Sequence, residues 1–78
     1  MRLLIVEDEK ELCDTISKSL YESGYEVDTC YDGHEALDYI LTEDYDLIVL
    51  DLNLPGMDGM DILRELRKEN EETKVLIL

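Results

Sequence analysis

The sequence predicts an α/β domain whose single sheet is parallel, and three observations carry that prediction. Apolar runs Leu3–Val6, Leu47–Leu50 and Val75–Leu78 have the length and composition of buried strands. Helix-period segments separate the strand-like runs. The first two apolar runs end in acids, Glu7-Asp8 and Asp51, as strands do that carry chemistry at the carboxyl edge of an open sheet.

In chain order, strand Leu3–Val6 leads to a helix from about Glu9 to Ser23. Its apolar stripe is Leu12, Cys13, Ile16 and Leu20, against polar Lys10, Asp14 and Lys18. Gly24 is placed to take the left-handed conformation just past that helix. Tyr25–Cys30 alternates with period two, the pattern of a half-exposed edge strand. Asp32 with Glu35 three residues on is a variant of the capping box, and Ala36, Leu37, Ile40 and Leu41 supply the buried face of a second helix. Strand Leu47–Leu50 and the Leu54-Pro55-Gly56 turn follow. Asp58 then caps a third helix running to about Asn70, with Ile62, Leu63 and Leu66 inward. Glu65, Arg67, Lys68 and Glu69 face water. The order is β-α-β-α-β-α-β, which implies helices on the sheet faces and right-handed crossovers.

Seventy-eight residues make one small domain, and a chain of this size buries only about 60% of its unfolded surface. The net charge is −14, from 21 acids against 7 bases, which disfavours direct contact with nucleic acid or an anionic membrane. No apolar stretch approaches the roughly 20 residues of a membrane span, and no signal-peptide pattern opens the chain. Cys13 and Cys30 lack metal-ligand spacing and read as buried free thiols. His34, the single histidine, is expected to face solvent on the first turn of the second helix. Met57 and Met60 read as packing or lip residues, and the glycines of Gly56-Met57-Asp58-Gly59 as turn residues.

If the first and third strands are neighbours, Glu7, Asp8 and Asp51 converge. Carboxylates so close raise at least one pKa, a penalty that a hard divalent cation removes. Mg²⁺ takes six oxygens, commonly a couple of carboxylates plus waters and a carbonyl or phosphate. Asp8, Asp51 and the backbone carbonyl of Asn53 are the natural ligands, with Glu7 acting through water. A metal-bound, partly exposed Asp is also a workable nucleophile for phosphorus.

The segments Leu3–Glu9, Tyr31–Leu37 and Asp46–Gly59 together resemble the receiver domain of bacterial two-component response regulators, of the subclass with a winged-helix DNA-binding domain after the receiver. The likeness covers the whole chain. It implies a flavodoxin-like (CheY-like) fold with strand order 2-1-3-4-5 and helices on both faces. It also implies that Asp51 is a phosphoacceptor loaded by the phosphohistidine of a sensor histidine kinase. Glu7 and Asp8 then form the acidic Mg²⁺ pocket, Asn53 lends its carbonyl, and the domain controls transcription from the cytoplasm as a signalling module, not an enzyme. Receivers continue with a sensing Ser or Thr, a fourth helix, a fifth strand ending in Lys, and a fifth helix. The chain ends at Leu78, one residue short of that hydroxyl, so residues 1–78 are expected to be a partial receiver whose DNA-binding output is absent. Its fourth strand then becomes an apolar edge, from which self-association as a dimer or higher oligomer is expected. Two other readings are a fragment without signalling activity that self-associates through that strand, and an aspartate-nucleophile phosphatase of the haloacid-dehalogenase type. The phosphatase would want a second acid where Asn53 stands.

Overall fold

The computed structural model describes residues 1–78. The elements are β1 (Arg2–Val6), α1 (Lys10–Glu22), β2 (Glu26–Cys30), α2 (Gly33–Thr42), β3 (Leu47–Leu50), α3 (Gly59–Glu69) and β4 (Lys74–Ile77). The sheet order is β2-β1-β3-β4, with every pairing parallel. Every expected element is present, with boundaries within a residue or two of those read from the sequence.

Strand pleating divides the core between two faces. Leu4, Val6, Ile48 and Leu50 point to the side where Ala36 and Ile40 of α2 and Ile62 and Leu66 of α3 pack. Ile5 and Val49 point the other way, onto Cys13, Ile16 and Leu20 of α1. Both faces of β1 and β3 are therefore covered, which is why these runs are apolar without alternation. β2 lies at one edge with Glu26 exposed and Cys30 buried. β4 lies at the other, with Leu76, Ile77 and Leu78 exposed.

The helix ends follow their capping residues. Asp32 accepts a hydrogen bond from the Glu35 N–H at 2.8 Å, and Asp58 accepts one from the Met60 N–H at 2.8 Å. Helix α1 ends in a Schellman motif. Gly24 sits at φ 96°, its N–H donates to the Tyr21 carbonyl, and the Tyr25 N–H donates to the Leu20 carbonyl. After α3, Arg67 donates to the carbonyls of Asn70, Glu71 and Thr73, tying the connection to β4.

At the edge of the sheet where the strands begin, Arg2 gathers the local acids. Its guanidinium pairs with Asp28 at 3.1 Å and Glu43 at 2.9 Å and lies over the Tyr45 ring, 5.1 Å from the centroid. The Tyr45 hydroxyl donates to Asp28 at 2.6 Å, and burial followed by that bond raises the phenol's pKa. The inward position of Tyr45 was not legible in the sequence, because Asp44 and Asp46 flank it and no period marks it.

Two helix positions differ from expectation. Leu12 is 41% exposed and Leu41 is 51% exposed, whereas Cys13 and Ala36 are fully buried. Each leucine is at the margin of its stripe, beyond the width that the sheet covers. Cys13 and Cys30 are free and buried as expected, and burial pushes the Cys30 thiol up to about 12. They belong to core clusters on opposite faces of the sheet.

Truncation of Ile48, which is 1% exposed, to Ala is expected to cost about 2–5 kcal/mol. Leu41→Ala should cost less than about 1 kcal/mol. Urea unfolding of both variants checks this, and equal losses would place Leu41 in the core.

Candidate functional site

The site lies where β1 and β3 end. Their register pairs Val6 with Leu50, so the next residues, Glu7 and Asp51, leave the sheet side by side. The backbone holds both in place, since the Asp51 N–H donates to the Val6 carbonyl at 3.0 Å and the Glu7 N–H donates to the Cys30 carbonyl at 3.1 Å. Carboxylate oxygens of Glu7, Asp8 and Asp51 all lie within 4.8 Å of one another. Glu7 is buried, Asp8 exposed and Asp51 half-buried. The convergence expected from the sequence is thus present within one folded chain.

Asn53 stands two residues past Asp51, exposed on the loop, and its N–H donates to Asp51 Oδ1 at 2.9 Å. That bond fixes one carboxylate oxygen of Asp51. His34 is exposed, as expected, beside Gly56 on the same rim. Met57 is half-buried against the core, and Met60 is 43% exposed.

Electrostatically the cluster has no internal cation. The ion pairs of the structure join Arg2 to Asp28 and Glu43, Arg64 to Asp61, and Lys68 to Glu65, and none reaches Glu7, Asp8 or Asp51. Burial raises the Glu7 carboxyl to about 7; the neighbouring Asp51 carboxylate adds to the shift, and the Glu9 backbone N–H opposes it. Three oxygen donors at this spacing, with a buried acid that lacks a partner cation, suit a hard divalent ion better than a soft one.

The glycines divide in a way the sequence did not announce. Gly56, at φ 84°, is the turn residue expected. Gly59 is instead the first residue of α3, buried against the backbone that follows Asp51. Close approach of two backbones leaves no period and no turn signature.

Residues 3–78 match the profile described as the response regulator receiver domain. Over 78 residues the chain is 45% identical to the transcriptional regulatory protein DltR of Streptococcus agalactiae, covering all of this chain and 35% of DltR. It is 44% identical over 78 residues to the transcriptional regulatory protein TctD of Salmonella typhimurium, again covering all of this chain and 35% of the relative. The chain therefore spans about a third of the length of these curated relatives. Among solved structures, the response regulator TrrA of Thermotoga maritima in complex with Mg²⁺-BeF aligns at a TM-score of 0.91 and 37% identity, covering 97% of this chain and 66% of that one. TrrA in complex with the histidine kinase ThkA aligns at 0.88, with the same identity and coverage. The flavodoxin-like fold, the acid-tipped parallel strands and these matches place the chain in the response regulator receiver domain family.

Proposed function

We propose that the chain is a phosphoacceptor, with Asp51 taking a phosphoryl group from the phosphohistidine of a sensor histidine kinase. The observation that carries this reading is the convergence of Glu7, Asp8 and Asp51 at one strand edge, with Asp51 accessible. An Asp51 oxygen attacks phosphorus, the P–O bond forms as the P–N bond to imidazole breaks, and the departing imidazole takes up a proton. Asn53 restrains Asp51 Oδ1 during the attack, which leaves the other oxygen as nucleophile. Phosphoryl transfer asks mostly for positioning and charge neutralisation.

Glu7, Asp8, Asp51 and the backbone carbonyl of Asn53 are proposed to hold Mg²⁺, which when bound neutralises the phosphoryl oxygens. TrrA, bound to Mg²⁺-BeF in one structure and to a histidine kinase in another, supports both the ion and the partner. Control of a DNA-binding output in the cytoplasm is part of the proposal. It is supported by the similarity to transcriptional regulators, of which residues 1–78 correspond to about a third. Residues 1–78 are read as a partial receiver in this scheme, a signalling module and not an enzyme. A second copy is the partner proposed for β4, whose free edge carries Leu76, Ile77 and Leu78 at 53%, 41% and 53% exposure.

Incubation with a small-molecule phosphodonor and Mg²⁺ is expected to add one phosphoryl group by intact mass, and Asp51→Asn should add none. Equal labelling of both proteins, or of neither, would remove Asp51 as the acceptor.

The pH response of the cation-free protein follows from Glu7. Its folded-state value of about 7 lies above the ordinary 4.5. The stabilising contribution of its bound proton is therefore complete below about 4.5 and lost as pH rises through about 7. Melting temperature without divalent ions should fall across that window, and the rise produced by Mg²⁺ should grow. Glu7→Gln should flatten the Glu7-dependent part, as read by thermal melts at several pH values. A Mg²⁺ effect that is constant with pH would contradict this assignment.

Sedimentation at rising concentration is expected to show dimers or larger species that Leu76→Lys diminishes. A folded monomer throughout would refute pairing at β4.

A further inference from the structure

Gly33 and Gly59 each begin a helix, and both are buried. Neither has a positive φ, so conformational freedom is not their purpose. What each supplies is room. A Cβ on Gly33 would overlap the Cβ and carbonyl of Met57, where the Gly33 N–H donates to the Pro55 carbonyl at 3.1 Å. A Cβ on Gly59 would come within 2.7 Å of Leu52 Cα and 2.9 Å of the Asp51 carbonyl oxygen. The Gly59 N–H donates to the Leu52 carbonyl at 3.3 Å. The peptide after Asp51 is therefore boxed in. β1 holds the peptide before Asp51 through the Asp51 N–H, and the first turn of α3 rests directly on the peptide after it.

We propose that Gly59 is a positioning residue for Asp51: by bringing the backbone of α3 onto the Asp51–Leu52 peptide, it sets where the Asp51 carboxylate sits relative to Glu7 and Asp8. The consequence for phosphoryl transfer rests on the phosphoacceptor reading of Asp51, whereas the placement itself does not. A Cβ at position 59 falls about 0.7 Å inside the 3.4 Å of ordinary contact with Leu52 Cα. Helix α3 is anchored by Ile62, fully buried, and Leu66, 4% exposed, so the peptide beyond the end of β3 is the part that yields. Reactive geometries tolerate about 0.5 Å of error, and a misplacement near 1 Å can cost about 10²-fold in rate. Gly33 provides the comparison. Its three nearest clashes all fall on Met57, next to the exposed Pro55-Gly56 turn, rather than on the Asp51–Leu52 backbone.

The test compares Gly59→Ala with Gly33→Ala in the full chain, with folding checked by circular dichroism. The first readout is the NMR shift and exchange protection of the Asn53 amide, whose hydrogen bond to Asp51 Oδ1 reports on that carboxylate. The second is the rate of loading from a small phosphodonor with Mg²⁺. Gly59→Ala is expected to shift and deprotect the Asn53 amide and to slow loading by about 10- to 100-fold. Gly33→Ala should leave the amide in place and change the rate by less than about threefold. If the unsubstituted chain takes no phosphoryl group, the phosphoacceptor reading fails while the Asn53 amide still decides the placement. An unmoved Asn53 amide in Gly59→Ala, or equal changes in both variants, overturns the proposal. A Gly59→Ala chain that stays unfolded even with trimethylamine N-oxide present would also overturn it, in favour of a purely structural role.

Discussion

Parallel pairing of β1 with β3, from Leu3 against Leu47 to Val6 against Leu50, is the constraint from which the rest of the molecule follows. Both strands are apolar on both faces, so neither can lie at an edge without exposing aliphatic surface, and each becomes the other's neighbour inside the sheet. Because they run the same way, their trailing acids leave together. Glu7 and Asp51 are adjacent because Val6 and Leu50 are, and Asp8 joins them from the next position. The acid pocket is a consequence of strand direction.

Acids at the opposite edge receive different treatment. There Asp28 and Glu43 meet the Arg2 guanidinium, and the Tyr45 hydroxyl donates to Asp28. These groups satisfy one another, and the result is a fastening between β1, β2 and the connection into β3. At the carboxyl edge no Lys or Arg forms an ion pair with the three acids, since Lys10 lies over the Tyr31 ring instead, and one of the three is buried. Charge left uncompensated in a small domain costs stability, and such expense is typical of functional positions. The same chain therefore separates its paired carboxylates from its unpaired ones by where it puts a single arginine.

Much of this architecture is legible along the chain because local chemistry and global fold agree. Asp32, Asp58 and Gly24 act where their types and positions indicate, since capping and left-handed turns depend on neighbours a few residues away. Leu12 and Leu41 are more exposed than their period implies, because a helical period defines the centre of a stripe but not how far the facing sheet reaches. The burial of Glu7 depends on the strands on either side, and an acid after a strand carries no mark of it. Gly59 reads as a turn residue along the chain because its partner, the Asp51–Leu52 backbone, approaches across space. Sequence periodicity reports faces of elements, and the missed features are contacts between their ends.

Glu7 shares one pocket with Asp51, and a carbon-detected NMR titration of the Glu7 carboxyl in cation-free protein tests this most directly. A midpoint near 7 is expected, lowered by Asp51→Asn and by added Mg²⁺. A midpoint at the ordinary value of about 4.5, unmoved by either change, would contradict it.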